Sequence, residues 1–188
     1  MGPQISLVLF AFLACSAFTK AADAVPNAMP VGTLYAYGQN ISGLPLFYAD
    51  GLALLGYGQP EDISEAVNVT FTSNTTATTL KSSPNNTAMA TNWTQPLLYI
   101  DATAGSFTEA GFTSLTNTSY TTTGFSFWGR QLMWLGNSDD GSVGRSFWAA
   151  PRGKDGVWSL LWNSDNAASE IAVPIVLKRQ PPPSLDKN

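Results

Sequence analysis

A chain of 188 residues with nine Lys/Arg against thirteen Asp/Glu carries a net charge of −4, and an acidic balance argues against nucleic acid, which selects basic faces. No histidine is present, which removes Ser-His-Asp, Cys-His and His-ligated metal chemistry together. The single cysteine, Cys15, lies in the amino-terminal segment, so the folded domain has no disulfide, thiol nucleophile or thiolate metal site to rely on.

Residues 1–22 read as a secretory signal peptide. "ISLVLFAFLACSAF" (Ile5 to Phe18) is apolar, too short to span a bilayer comfortably, and followed by small residues suited to cleavage. Its loss takes Lys20 with it, moves the net charge to −5, and leaves a secreted protein with no retained membrane span. Residues 23–31, with two prolines, read as an extended leader. "GTLYAYG" (Gly32 to Gly38) alternates as a strand does.

"GLPLFYADGLALLG" (Gly43 to Gly56) places Asp50-Gly51 between two apolar runs, a strong hairpin signal, because both residues tolerate positive φ. "PEDISEA" (Pro60 to Ala66) is the one plausible helical turn, and "VNVTFT" (Val67 to Thr72) resumes alternation. From Ser73 to Thr94, rich in Thr and Asn, the pattern predicts loops and edge strands outside the core. "PLLYIDA" (Pro96 to Ala102) and, more weakly, "SFTEAGFTSL" (Ser106 to Leu115) follow as strands. "GFSFWGRQLMWLG" (Gly124 to Gly136) repeats the earlier hairpin pattern, and in a two-sheet or barrel fold two such hairpins can occupy equivalent places, one per half, whether by duplication or by convergence on a good hairpin. "GRSFWAAP", "GVWSLLW" and "EIAVPIVLK" complete the strands, and 179–188 read as a disordered Pro-rich tail. Short apolar runs with Gly/Asp/Asn punctuation predict one all-β domain over 32–178, an antiparallel sandwich or barrel of about ten to twelve strands.

Six N-x-Ser/Thr sequons, at Asn40, Asn68, Asn74, Asn85, Asn92 and Asn117, stand behind the signal segment and point to N-glycosylation. Carboxylates are the remaining acid–base groups: Asp50, Asp101, Glu109, Asp139, Asp140, Asp155 and Glu170. Three of them precede Gly in turns, where Asp serves the backbone, so a two-carboxylate hydrolase is a minor reading. "NSDDGS" (Asn137 to Ser142) lacks the spacing of a calcium loop, and no metal or other cofactor is expected.

The positive signal is aromatic. Trp128, Trp134, Trp148, Trp158 and Trp162, with Phe127, crowd the last third of the chain. Rings fill cores, but buried indole N–H groups need partners, so several of these are expected to line a pocket for a hydrophobic small molecule. Arg130, in the second hairpin turn, and Tyr48 are the candidate catalytic groups. Arg130 reads either as a solvated turn residue or as a cation that polarises a ligand carbonyl. Lys178-Arg179 reads as a processing site or as the polar end of the last strand.

"GTLYAYG…GLPLFYADGLA" near the start and "GVWSLLWN…VP" near the end resemble small secreted glycoproteins of filamentous fungi, among them the hetero-Diels–Alderases of tropolone–sesquiterpene pathways. No catalytic motif accompanies the likeness, so no site residue carries over. What it implies is cofactor-free cycloaddition in secondary metabolism, by an apolar cavity that holds two partners in reacting geometry with a hydrogen bond to an activated carbonyl. Two other readings stand beside it on the residues alone. One is a carbohydrate-binding or host-interaction protein whose tryptophans stack on sugars; the other is a wall protein whose rings are only core.

Overall fold

The computed structural model describes residues 28–86, 93–94, 96–114, 120–136, 146–153 and 156–183. It is all-β, with fourteen strands and, among the described residues, no helix. In chain order the strands are β1 (Ala28–Gly32), β2 (Tyr35–Gly38), β3 (Ile41–Ala49), β4 (Leu52–Leu55), β5 (Ala66–Asn74), β6 (Thr79–Pro84) and β7 (Leu97–Tyr99). They continue as β8 (Phe107–Glu109), β9 (Gly111–Thr113), β10 (Phe125–Trp128), β11 (Gln131–Trp134), β12 (Phe147–Arg152), β13 (Val157–Asn163) and β14 (Val173–Lys178).

The β3–β4 hairpin is the axis of the fold. Its two-residue turn has φ of 46° at Asp50 and 88° at Gly51, the left-handed geometry that matches the twist of paired strands. The ladder runs from Leu46↔Leu55 to Ala49↔Leu52. The far edge of β3 pairs first with β2 and then, from Phe47 to Ala49, with β5. The far edge of β4 takes β13 at Leu54 and Leu55 and β9 at Leu52. These pairings close ten antiparallel strands into one barrel circuit, which the hairpin pinches into two loops of six strands. Four strands stand outside: β1 on β5, β8 on β13, and the β10–β11 hairpin, which touches β14 through Gln131↔Lys178.

Alternation decides what each strand buries. Leu46, Tyr48, Ala53 and Leu55 enter the main core with Leu34, Phe71, Leu98, Phe112, Leu160 and Trp162. Phe47, Ala49 and Leu54 point the other way, into a smaller cluster with Ile63 and Val157. The hairpin is thus buried on both faces, and a strand so placed reads as an unbroken apolar run. The main core is one contiguous cluster of side chains, so the barrel is filled.

Several expectations give way here. The second hairpin is not equivalent to the first: β10–β11 is an outer flap with Trp128 exposed, because only its Phe125, Phe127 and Leu132 side meets the core. Its turn has positive φ only at Gly129 (61°), the arrangement in which glycine takes the first central position and Arg130 needs no left-handed backbone. Pro60–Ile63 is a hydrogen-bonded turn rather than a helix. The Thr-rich segment supplies a barrel strand, since β6 buries Leu80 and Ser82, and the Ser82 hydroxyl is satisfied by the Pro96 carbonyl and the Trp93 indole N–H. The extended leader includes β1, and the first tail residues pack on the barrel: the Tyr37 hydroxyl donates to the Gln180 carbonyl (2.8 Å), and a Cβ on Gly43 would strike Pro182. Residues 1–27 and the Asp139, Asp140, Arg145 and Asp155 positions lie outside the described residues.

Asp50 carries two duties. It holds the left-handed turn, and its carboxylate accepts the amides of Ser64 (2.6 Å) and Glu65 (2.9 Å), which closes the loop over the smaller core. Asp50→Ala is expected to destabilise the fold by about 2–4 kcal/mol, the sum of a left-handed alanine and two lost hydrogen bonds. Asp50→Asn, which tolerates the same φ and keeps one acceptor, should lose less than half of that in denaturant titrations.

Candidate functional site

With the barrel filled, the room for a ligand lies beside it. The β5–β6 turn is built by Asn74, whose side-chain oxygen accepts the amides of Thr76 (3.0 Å) and Ala77 (2.9 Å). Thr78 follows with φ of 51°, an outlier for a β-branched residue and a sign of a position held by its surroundings. Its hydroxyl accepts the Gly124 amide (2.8 Å) and its carbonyl accepts the Phe125 amide (2.9 Å), so this turn hangs the start of β10. At the other end of the flap, Arg179 donates its amide to the Arg130 carbonyl (3.0 Å).

Between β1, the β5–β6 turn and β10 lies a cleft of about 420 Å³, within the range of small-molecule sites. Met29, Val31, Phe125 and Phe127 form its apolar walls, Ser73, Thr78 and Ser126 add hydroxyls, and Arg179 completes the lining. Across β10 is a second hollow of about 290 Å³ lined by Phe127, Trp128, Met133 and Leu135.

Of the expected pocket residues, Phe127 alone lines the larger cleft, and it also borders the smaller one. Trp128 is 73% exposed on the smaller hollow. Trp134 donates its indole N–H to the Thr123 carbonyl (2.9 Å) and meets Trp162 edge-on at 5.5 Å. Trp162 is buried against Phe147 at 5.0 Å, its N–H without a hydrogen-bond partner. Trp148 packs edge-on to Phe107 (5.5 Å), and Trp158 lies half-buried against the main core. The five indoles therefore do not converge on one cavity: period-2 alternation sends Trp158 and Trp162 inward on one strand face while Trp128 turns outward.

Neither candidate catalytic group faces the cleft. Tyr48 is buried in the core, edge-on to Trp93 at 4.7 Å; burial, with the Glu65 charge second, pushes its phenol above the ordinary value, which keeps it neutral. Arg130 points away and donates to the Gln180 side-chain oxygen (2.6 Å). The cation at the cleft is Arg179, with its guanidinium carbon 5.7 Å from the Phe127 ring centre. The dibasic pair that includes it sits in a ladder, Lys178 opposite Tyr35 and Gln131, a poor substrate for a processing protease. Arg179, Met29, Val31 and Thr78 are the residues that sequence reasoning missed. Their only signals were the dibasic pair and a proline-flanked apolar leader.

The carboxylates serve the fold. Glu109 and Asp62 share one guanidinium, Arg152, at 3.2 and 2.6 Å, and Glu109 also accepts the Ser159 hydroxyl (2.7 Å), which ties β8, β12 and β13 to the Pro60–Ile63 turn. Asp101 accepts the Thr103 amide (3.0 Å). Burial would raise its pKa, but hydrogen bonds from Thr103 and Ser106 outweigh that and hold it below the ordinary carboxylate value. Among the sequon asparagines, Asn40, Asn68 and Asn85 are exposed, Asn74 is spent on its turn, and Asn92 and Asn117 lie outside the described residues.

Compared with protein-family models, with curated proteins and with solved structures, the chain matches none.

Acrylamide quenching of tryptophan fluorescence should reach Trp128 first and Trp162 last. Trp128→Phe is expected to remove the most accessible component with little change in melting temperature, whereas Trp162→Ala should cost about 3–5 kcal/mol of stability. A quenching curve unchanged by Trp128→Phe would contradict the outward placement of this ring.

Proposed function

We propose that the protein is a secreted glycoprotein that binds a hydrophobic small molecule in the cleft between β1 and β10, and that it promotes a cofactor-free cycloaddition of the hetero-Diels–Alderase type there. The observation that supports binding is the combination of a hollow of about 420 Å³ with two phenylalanine walls in a protein whose barrel interior is filled. Catalysis of this kind asks little of the chain. It needs no nucleophile and no electron donor, only two reacting partners confined at van der Waals distance and a positive group beside a carbonyl that gains negative charge. Arg179 is the group in position to serve. The likeness in the GTLYAYG and GVWSLLWN segments supports the same class. Exposed asparagine at three sequons is compatible with glycans on the same molecule.

A second reading rests on Trp128. An indole 73% exposed beside a shallow hollow is the usual form of a sugar-stacking platform.

Titration with the neutral apolar dye N-phenylnaphthylamine separates the two. Phe127→Ala is expected to weaken dye binding by about 10- to 100-fold, the loss of one buried ring, while Trp128→Ala leaves it within about twofold. Dye binding indifferent to Phe127→Ala would overturn the cleft reading. Retention on immobilised glycans that Trp128→Ala abolishes would favour the platform.

A further inference from the structure

We infer that the molecule held in this cleft is a free anionic amphiphile: an apolar body between Phe125, Phe127 and Met29, and a carboxylate, enolate or sulfonate head on the Arg179 guanidinium. This inference rests on the ligand-binding reading above and adds the charge of the ligand to it.

Four observations converge on it. Among the described residues that line the cleft, Arg179 is the one charged residue and no carboxylate stands with it. Both ion pairs among the described residues belong to Arg152, so the Arg179 guanidinium has no acidic partner there. Its guanidinium meets the Phe127 ring in a cation–π approach at 5.7 Å that places the charge beside the apolar wall. Finally, its backbone is pinned on both sides. Its own amide donates to the Arg130 carbonyl, and the next residue, Gln180, is held by the Arg130 guanidinium (2.6 Å) and the Tyr37 hydroxyl (2.8 Å). Arg130 is therefore a positioning residue, and Arg179 is the one presented to a ligand. In a chain of net charge −4, a cation at an apolar recess with no acidic partner among the described residues is a local reversal of sign, and a guanidinium fork matches a planar oxyanion in two parallel hydrogen bonds. A recess that sets one cation against an apolar wall suits a soluble molecule whose body is taken in with its head. A membrane lipid would present its head first and keep its chains in the bilayer.

The test uses two dyes of similar apolar body on the intact protein: anilinonaphthalene sulfonate, which is anionic, and N-phenylnaphthylamine, which is neutral. Arg179→Gln is expected to weaken the anionic dye by about three- to tenfold, the range for a partly exposed charge-assisted contact, and to leave the neutral dye within about twofold. Raising salt from about 50 to about 500 mM should weaken the anionic dye in the wild type and not in Arg179→Gln. Arg179→Lys should keep the salt dependence. Equal weakening of both dyes would mean that Arg179 only packs, and the inference fails. If Arg179→Gln leaves both dyes unchanged while Phe127→Ala weakens both, the ligand is neutral: the inference fails and the binding reading stands. If neither dye responds to Phe127→Ala, the binding reading fails first. Arg179-dependent sedimentation with phosphatidylglycerol vesicles would replace the soluble ligand by a membrane surface and overturn the inference.

Discussion

The whole architecture depends on one ribbon being buried on both of its faces. Leu46, Tyr48, Ala53 and Leu55 belong to the main core, and Phe47, Ala49 and Leu54 to the smaller one. A two-stranded ribbon has only two edges, yet this one receives four neighbours, because β2 and β5 share the edge of β3 and β13 and β9 share that of β4. Both edges of its middle are paired with other strands, and each buried Leu or Phe contributes about 1.5–3 kcal/mol. Closure of the barrel follows from this sharing, since the strands that flank the ribbon have nowhere to end except against one another.

A filled barrel has a consequence for function. The buried side chains of the interior form one contiguous cluster, and the roomiest cleft described lies among elements added outside the circuit. Here those elements are β1 and the β10–β11 flap, and the cleft is the gap between them. Its geometry hangs on two small devices: the strained Thr78, which takes the first amides of β10, and the tail at Arg179 and Gln180, which ties the flap's turn to the end of β14. The flap is also anchored by burial, since Phe125 and Leu132 belong to the main core.

Local residue chemistry determined a good deal unaided. The all-β class and the Asp50-Gly51 turn follow from period-2 alternation and from φ-tolerant turn residues, which act over a few positions. Phe127, singled out for its place among the crowded aromatics, does line the cleft between β1 and β10. The absence of imidazole and the single early cysteine bounded the chemistry before any fold was known.

Tertiary structure decided the rest. Two hairpins with the same pattern received opposite fates, one central and one peripheral, because burial depends on which strands arrive at their edges and not on the hairpin itself. Tyr48 and Trp162 went to the core and Arg130 to the tail, while Arg179, more than a hundred residues from Met29 and Val31, joined them at the cleft. Contacts between positions so distant are set by the order in which strands pair, and strand order is a property of the closed circuit that no single stretch of residues contains.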